Sequence, residues 1–146
     1  MIARSEWKSS DLNPKGFTAF SQSNHVLRFD ASPEHAEGPT PMEVVLMALC
    51  GCTSVDVVNI LKKKRQPLAA LTVYATAEQA TEPPNFFTKI LLTYAVTADA
   101  NGPLSRKAVE DAVALSKDKY CSVSAMLETR ADITFEIDFG GQEPLP

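Results

Sequence analysis

Residues 41–65 read Pro41-Met42-Glu43-Val44-Val45-Leu46-Met47-Ala48-Leu49-Cys50-Gly51-Cys52-Thr53-Ser54-Val55-Asp56-Val57-Val58-Asn59-Ile60-Leu61-Lys62-Lys63-Lys64-Arg65, and this stretch decides the fold. Thr40 can cap a helix here and Pro41 can occupy its first turn. Everything to about Arg65 favours helix, and Gln66-Pro67 ends it. The run Lys62 to Arg65 reads as a solvated helix end, where cations complement the helix dipole. Almost no polar face remains in between. A helix apolar all round is buried on most sides. In a chain of 146 residues, that implies a central helix wrapped by sheet, or by sheet plus a partner subunit.

Working outward, residues 2–8 and 16–30 alternate in short stretches such as Phe17-Thr18-Ala19-Phe20 and predict strands of a small meander. Residues 31–41 form a loop rich in Pro, Glu and Gly. On the other side, residues 69–79 and 87–98 predict two long strands, joined by the turn-forming Thr81-Glu82-Pro83-Pro84-Asn85. A helix follows from about Ser105 to Tyr120, with Val109, Ala112, Val113 and Ser116 on one face, then a short helix from Cys121 to Glu128. Residues 131–139 alternate as a last strand, and the tail after Gly140 reads as loose. The order is α+β, without the strict alternation of a doubly wound sheet. One domain over 1–146 is expected: N-terminal strands and loop to 40, the central helix 41–65, and strands, helix pair and last strand over 69–139.

Composition is that of a globular protein, 45% apolar and 22% charged. A net charge of −4 argues against attraction to nucleic acid or anionic membrane. The N-terminus lacks a signal-peptide pattern, and Val44 to Cys50, the longest unbroken apolar run, is too short to span a bilayer. A cytoplasmic protein with reduced thiols is the expectation, and three cysteines, an odd number, argue against a disulfide framework.

Cys52 lies in the middle of the apolar helix, where a cysteine taken alone reads as a small packing residue. Cys50 points nearly opposite, since two residues are about 200° of helical rotation. Cys121 lies in Lys119-Tyr120-Cys121-Ser122-Val123-Ser124, where one helix ends and a short one starts. The N–H groups and dipole there are expected to favour its thiolate.

Gly38-Pro39-Thr40-Pro41-Met42-Glu43, the apolar helix with Gly51-Cys52, and Lys119-Tyr120-Cys121-Ser122-Val123-Ser124 together resemble the OsmC/Ohr family, closest to its YhfA-like branch. The resemblance covers nearly the whole chain. It implies an intertwined homodimer in which two long central helices pack face to face, wrapped by six-stranded, antiparallel-rich sheets from both chains. The two active sites would lie at the subunit interface. Cys52 would be the peroxidatic cysteine, its thiolate attacking the distal oxygen of an organic hydroperoxide and becoming a sulfenic acid. Cys121 would resolve it as a disulfide, and a dithiol, possibly on a lipoyl protein, would reduce that disulfide. No cofactor is implied.

The family supports its thiolate with an N-terminal arginine and a glutamate directly after the helix proline. Here Met42 fills that glutamate position and Glu43, the candidate acid, comes one residue later. Nine residues separate Glu43 from Cys52, about 900° of rotation, which puts it on the opposite side of a straight helix. It can serve the thiol if the first turn is distorted or if it serves the other subunit; it also reads as a favourable first-turn acid. No arginine lies between Trp7 and Phe17, leaving Lys8, Lys15 or Arg28 as candidate cations, and a lysine lacks the guanidinium fork. Asp56, one turn after Cys52 on the same face, is either an orienting acid or a buried interface polar group. Two alternatives stand beside the peroxidase: a protein binding a small apolar ligand in the interfacial cleft, and a metal site of Cys52 and Cys121 with His25 or His35. The spacing of usual zinc sites is missing.

Overall fold

The computed structural model describes residues 1–8 and 16–140. Lys15 and the tail from residue 141 lie outside the described residues. Internal contacts divide the chain into two compact units, Met1–Leu46 and Met47–Pro146.

In the first unit, β1 (Ala3–Glu6), β2 (Gly16–Ser21) and β3 (Val26–Asp30) form an antiparallel meander. The alternating segment 16–30 is therefore two strands, broken by a turn in which Asn24 adopts φ 62°, a conformation asparagine tolerates. The loop after β3 folds back on it. The carboxylate of buried Asp30 accepts the amides of Ser32 at 2.8 Å and Glu37 at 3.2 Å, and the Asp30 amide donates to the Pro39 carbonyl at 3.1 Å. Gly38 passes so close to the Arg28 carbonyl that a Cβ would collide with it.

Helix α1 (Pro41–Lys63) begins and ends almost where the sequence signals placed it. Thr40 and Glu43 form a reciprocal cap: the Thr40 Oγ1 accepts the Glu43 amide at 3.2 Å, while Glu43 Oε2 accepts both the amide and the hydroxyl of Thr40, at 2.6 and 2.9 Å. By length and composition alone, α1 would suffice to cross a membrane. The core helix of a soluble protein passes the same test; Gly51, Thr53 and Ser54 interrupt the unbroken run Val44–Cys50 without making the helix polar.

In the second unit, β4 (Leu68–Gln79), β5 (Phe87–Ala98) and β6 (Asp132–Asp138) form a sheet in that order. β4 and β5 are antiparallel, but β6 runs parallel to β5. Parallel neighbours need a long crossover, and the helices between β5 and β6 supply it. These are α2 (Arg106–Leu115), a π-helical segment Ser116–Tyr120 continuous with it, and α3 (Ser122–Leu127). The single helix expected to Tyr120 thus changes its winding at Ser116. The core takes alternate residues of β5 (Ile90, Leu92, Tyr94, Val96), the expected face of α2 (Val109, Ala112, Val113), and Leu49, Val57 and Leu61 of α1. Along α1 the sealed stripe is Leu49, Thr53, Val57 and Leu61 at intervals of four. Met47 and Val55 stay 56% and 61% exposed among the described residues.

Candidate active site

Cys52 is half-buried on α1, and Cys121 is buried as the N-cap residue of α3. Their sulfurs and one carboxylate oxygen of Asp56 all lie within 4.8 Å of one another. The crossover makes this meeting possible by returning the chain from α2 to the side of α1 just before β6. Asp56 arrives because four residues along a helix return to the same face.

The Cys121 environment differs from the sequence expectation in one respect. Its sulfur does accept the Ser124 amide at 3.4 Å, as a helix cap should. Yet burial pushes the Cys121 thiol up; the Ser124 hydroxyl and amide oppose the rise, and neighbouring Cys52 adds to it. Desolvation outweighs the end of a helix only six residues long. Cys121 is therefore held as a thiol. Burial also raises Cys50, which is not part of the cluster.

Behind the cluster runs a chain of buried hydroxyls. Ser116 Oγ donates to Asp56 Oδ2 at 3.0 Å. That uses the only hydroxyl hydrogen Ser116 has, so its 3.0 Å contact with Thr53 Oγ1 must be donated by Thr53. Thr53 in turn accepts from Tyr94 at 2.6 Å. The order Tyr94 to Thr53 to Ser116 to Asp56 is fixed by counting hydrogens, and each bond polarises the next toward the carboxylate. Desolvation pushes the Tyr94 phenol up to about 12, with the Thr53 hydrogen bond opposing it. Ser116 also binds the other side of the site, its carbonyl accepting the Cys121 amide at 2.8 Å. Apart from its effect on the Cys121 thiol, the buried Ser124 hydroxyl makes no hydrogen bond among the described residues.

Glu43, Arg28, His25 and His35 have partners of their own. Glu43 is engaged by Thr40, whose amide and hydroxyl hold its carboxyl below the usual carboxylate range. Arg28 pairs with Glu37 at 3.5 Å, and Lys8 is exposed. His25 Nδ1 contacts the Ser23 hydroxyl at 3.0 Å and His35 Nδ1 the Asp30 carbonyl at 3.2 Å. The donor set that could hold a metal is Cys52, Asp56 and Cys121, with an aspartate where a histidine was considered. Thr53, Tyr94 and Ser116 were not singled out as site residues. The available signal was Ser116, a polar residue on the otherwise apolar face of the helix expected from Ser105 to Tyr120.

A family model described as OsmC-like protein matches residues 34–136. Protein YhfA of Escherichia coli strain K12 is 41% identical over 134 residues, covering 92% of this chain and 94% of its own. The crystal structure of a hypothetical protein from Aquifex aeolicus VF5 superposes with a TM-score of 0.73 at 28% identity, covering 94% of this chain and 97% of that one. An organic hydroperoxide resistance protein OsmC from Legionella pneumophila, titled a predicted redox protein, has the same fold with a TM-score of 0.68 at 13% identity, over 94% and 96% of the two chains. The match to the family model and the identity to YhfA give the assignment: this chain belongs to the OsmC-like family.

Proposed function

We propose that the protein is a thiol-dependent peroxidase that reduces organic hydroperoxides in the cytoplasm. The observation that carries the reading is the pairing of an accessible Cys52 with a buried Cys121, their sulfurs within 4.8 Å in the cluster with Asp56. The Cys52 thiolate attacks the distal peroxide oxygen; the O–O bond breaks, the alcohol leaves, and Cys52 becomes a sulfenic acid. Cys121 condenses with it to a disulfide and releases water. A dithiol, of the lipoyl kind, then reduces the disulfide.

The working form in this proposal is a homodimer, with a second copy on the exposed side of α1. Support comes from the exposure of Met47 and Val55 and from sheets of three strands each, half of the six expected in the dimer. The purified protein should consume cumene hydroperoxide in the presence of dihydrolipoamide. Cys52→Ser should abolish consumption, and Cys121→Ser should stall after one turnover. No turnover with any hydroperoxide and any dithiol would overturn the proposal. The engagement of Arg28 by Glu37 favours, as a second reading, a protein that binds a small apolar ligand. A co-purifying ligand, with Cys52 inert to iodoacetamide at neutral pH, would support that reading instead.

A further inference from the structure

The hydroxyl chain ends on Asp56, the acid that stands beside both cysteines among the described residues. Three buried hydroxyls and a half-buried carboxylate cost stability unless every hydrogen bond is made, and here the three bonds from Tyr94 to Asp56 are all made. The chain fixes the Asp56 carboxylate by Oδ2. Ser116 holds Asp56 through its side chain and Cys121 through its carbonyl, so one residue sets the distance between the acid and the resolving thiol. That residue opens the π-helical segment, a local change of winding often found at functional sites.

We propose that Asp56, positioned by Ser116, Thr53 and Tyr94, carries the proton in closure of the Cys52–Cys121 disulfide. The proposal rests on the pairing of these cysteines in the function proposed above. In the step, the Cys121 Sγ–H bond breaks and its proton passes to the Asp56 carboxylate. The Cys121 sulfur forms the S–S bond to the sulfenic sulfur of Cys52 as the S–O bond breaks. The departing hydroxide takes the proton from Asp56 and leaves as water. The Cys121 sulfur is oxidised and the Cys52 sulfur reduced, both to the disulfide level, and no further reactant is needed.

The surroundings of Cys121 leave few other groups for this task. From α1 it faces Cys52 and Asp56, from β5 Tyr94, and from α3 Ser124. Cys52 is spent as the sulfenic acid, and Tyr94 stays protonated far above neutral pH. On the adjoining π-helical segment, Lys117 is paired with Glu128 at 3.0 Å, and Lys119 lies over the Tyr120 ring. Burial keeps Cys121 a thiol, so its attack needs a proton acceptor. The buried Ser124 hydroxyl, which already favours the Cys121 thiolate and makes no other hydrogen bond among the described residues, offers a donor to the sulfur as negative charge develops on it.

The test separates closure from peroxide chemistry. The Cys50→Ser protein is oxidised by excess hydrogen peroxide in the presence of dimedone, and mass spectrometry reads the ratio of Cys52 adduct to disulfide. This ratio compares closure with trapping, however slowly the sulfenic acid forms. Trapping rates come from Cys121→Ser with and without Asp56→Asn. Asp56→Asn should shift the ratio toward adduct by about 100-fold at pH 7, the scale of general acid–base catalysis. The shift should shrink as pH rises and Cys121 ionises unaided. Ser116→Ala should fall between, and Asp56→Glu should restore part of the closure. An unchanged ratio in Asp56→Asn, or one changed equally at every pH, would overturn the proposal. A shifted ratio in a protein that turns over no hydroperoxide would leave this inference standing and remove the peroxidase reading.

Discussion

Replacing Tyr94 by Phe removes a single oxygen from the hydroxyl chain, and the consequence has two parts of opposite sign. At pH 7, the Thr53 oxygen loses the donor it receives at 2.6 Å, which should cost about 1–2 kcal/mol for a buried acceptor left unmatched. At alkaline pH, the native Tyr94 becomes the liability. Its folded value is raised from 10.0 to about 12, so its contribution is complete below the unfolded value and is lost as pH rises through the folded one. At pH 11, midway between, the expected loss is ~1.4 kcal/mol, and by pH 12 it is ~2.3 kcal/mol. Phe has no such loss. The parent chain should therefore be the more stable at pH 7, about level with Tyr94→Phe at pH 11, and the less stable at pH 12. Cys50 and Cys121 are raised in both proteins and largely cancel in the difference. Urea unfolding followed by circular dichroism, at one protein concentration and several pH values, measures the gap. A gap that stays constant from pH 7 to 12 would refute the reasoning.

The other predictions concern elements around the site. Thr40→Ala should cost about 1 kcal/mol as a lost helix cap, seen as a lower Tm. Because the Glu43 value is lowered from 4.5 by Thr40, the stability it adds is present above pH 4.5 and lost as pH falls through the folded value, so the gap should narrow in acid. Gly38→Ala forces a Cβ onto the Arg28 backbone carbonyl and should destabilise by about 1–3 kcal/mol in urea unfolding. Gly51→Ala adds a Cβ that meets nothing within 4 Å in the chain, so on its own it should stabilise α1 by up to about 1 kcal/mol. If a second copy crosses α1 closely there, the same change should instead weaken the dimer in analytical ultracentrifugation.

Much of the fold was legible because its signals are local. Thr40, Pro41 and Gln66-Pro67 bracket α1, and alternation marks β4, β5 and β6. Strand direction is a different kind of information: alternation in residues 131–139 is the same whether β6 pairs parallel or antiparallel to β5, so the parallel pairing could not be read from it. The π-helical segment was also hidden, since five residues are too few to shift a periodicity visibly. In the site, Asp56 was readable as a neighbour of Cys52 from its spacing of four. Thr53, Ser116 and Tyr94 come from three elements, and only the packed structure brings their hydroxyls into line.

Cys121 shows why local reading can fail at a site even where it places the residue correctly. Its position at a helix start was right, and the Ser124 amide does point at its sulfur. The sign of the effect depends on a competition that sequence does not expose. A helix of under two turns contributes a weak field, worth a fraction of a kcal/mol in water, whereas removing a thiolate from water costs considerably more. At 2% exposure, the second effect wins. Cys52 is the accessible member of the pair, so the structure separates the two thiols by solvent contact before any chemistry begins. In the proposed peroxidase cycle, the attacking thiol needs access to its substrate, while the resolving thiol needs to remain unreactive until its partner is oxidised and then to lose a proton. Burial meets the first of those two needs and obstructs the second. A fixed carboxylate beside a buried thiol is the arrangement that meets both.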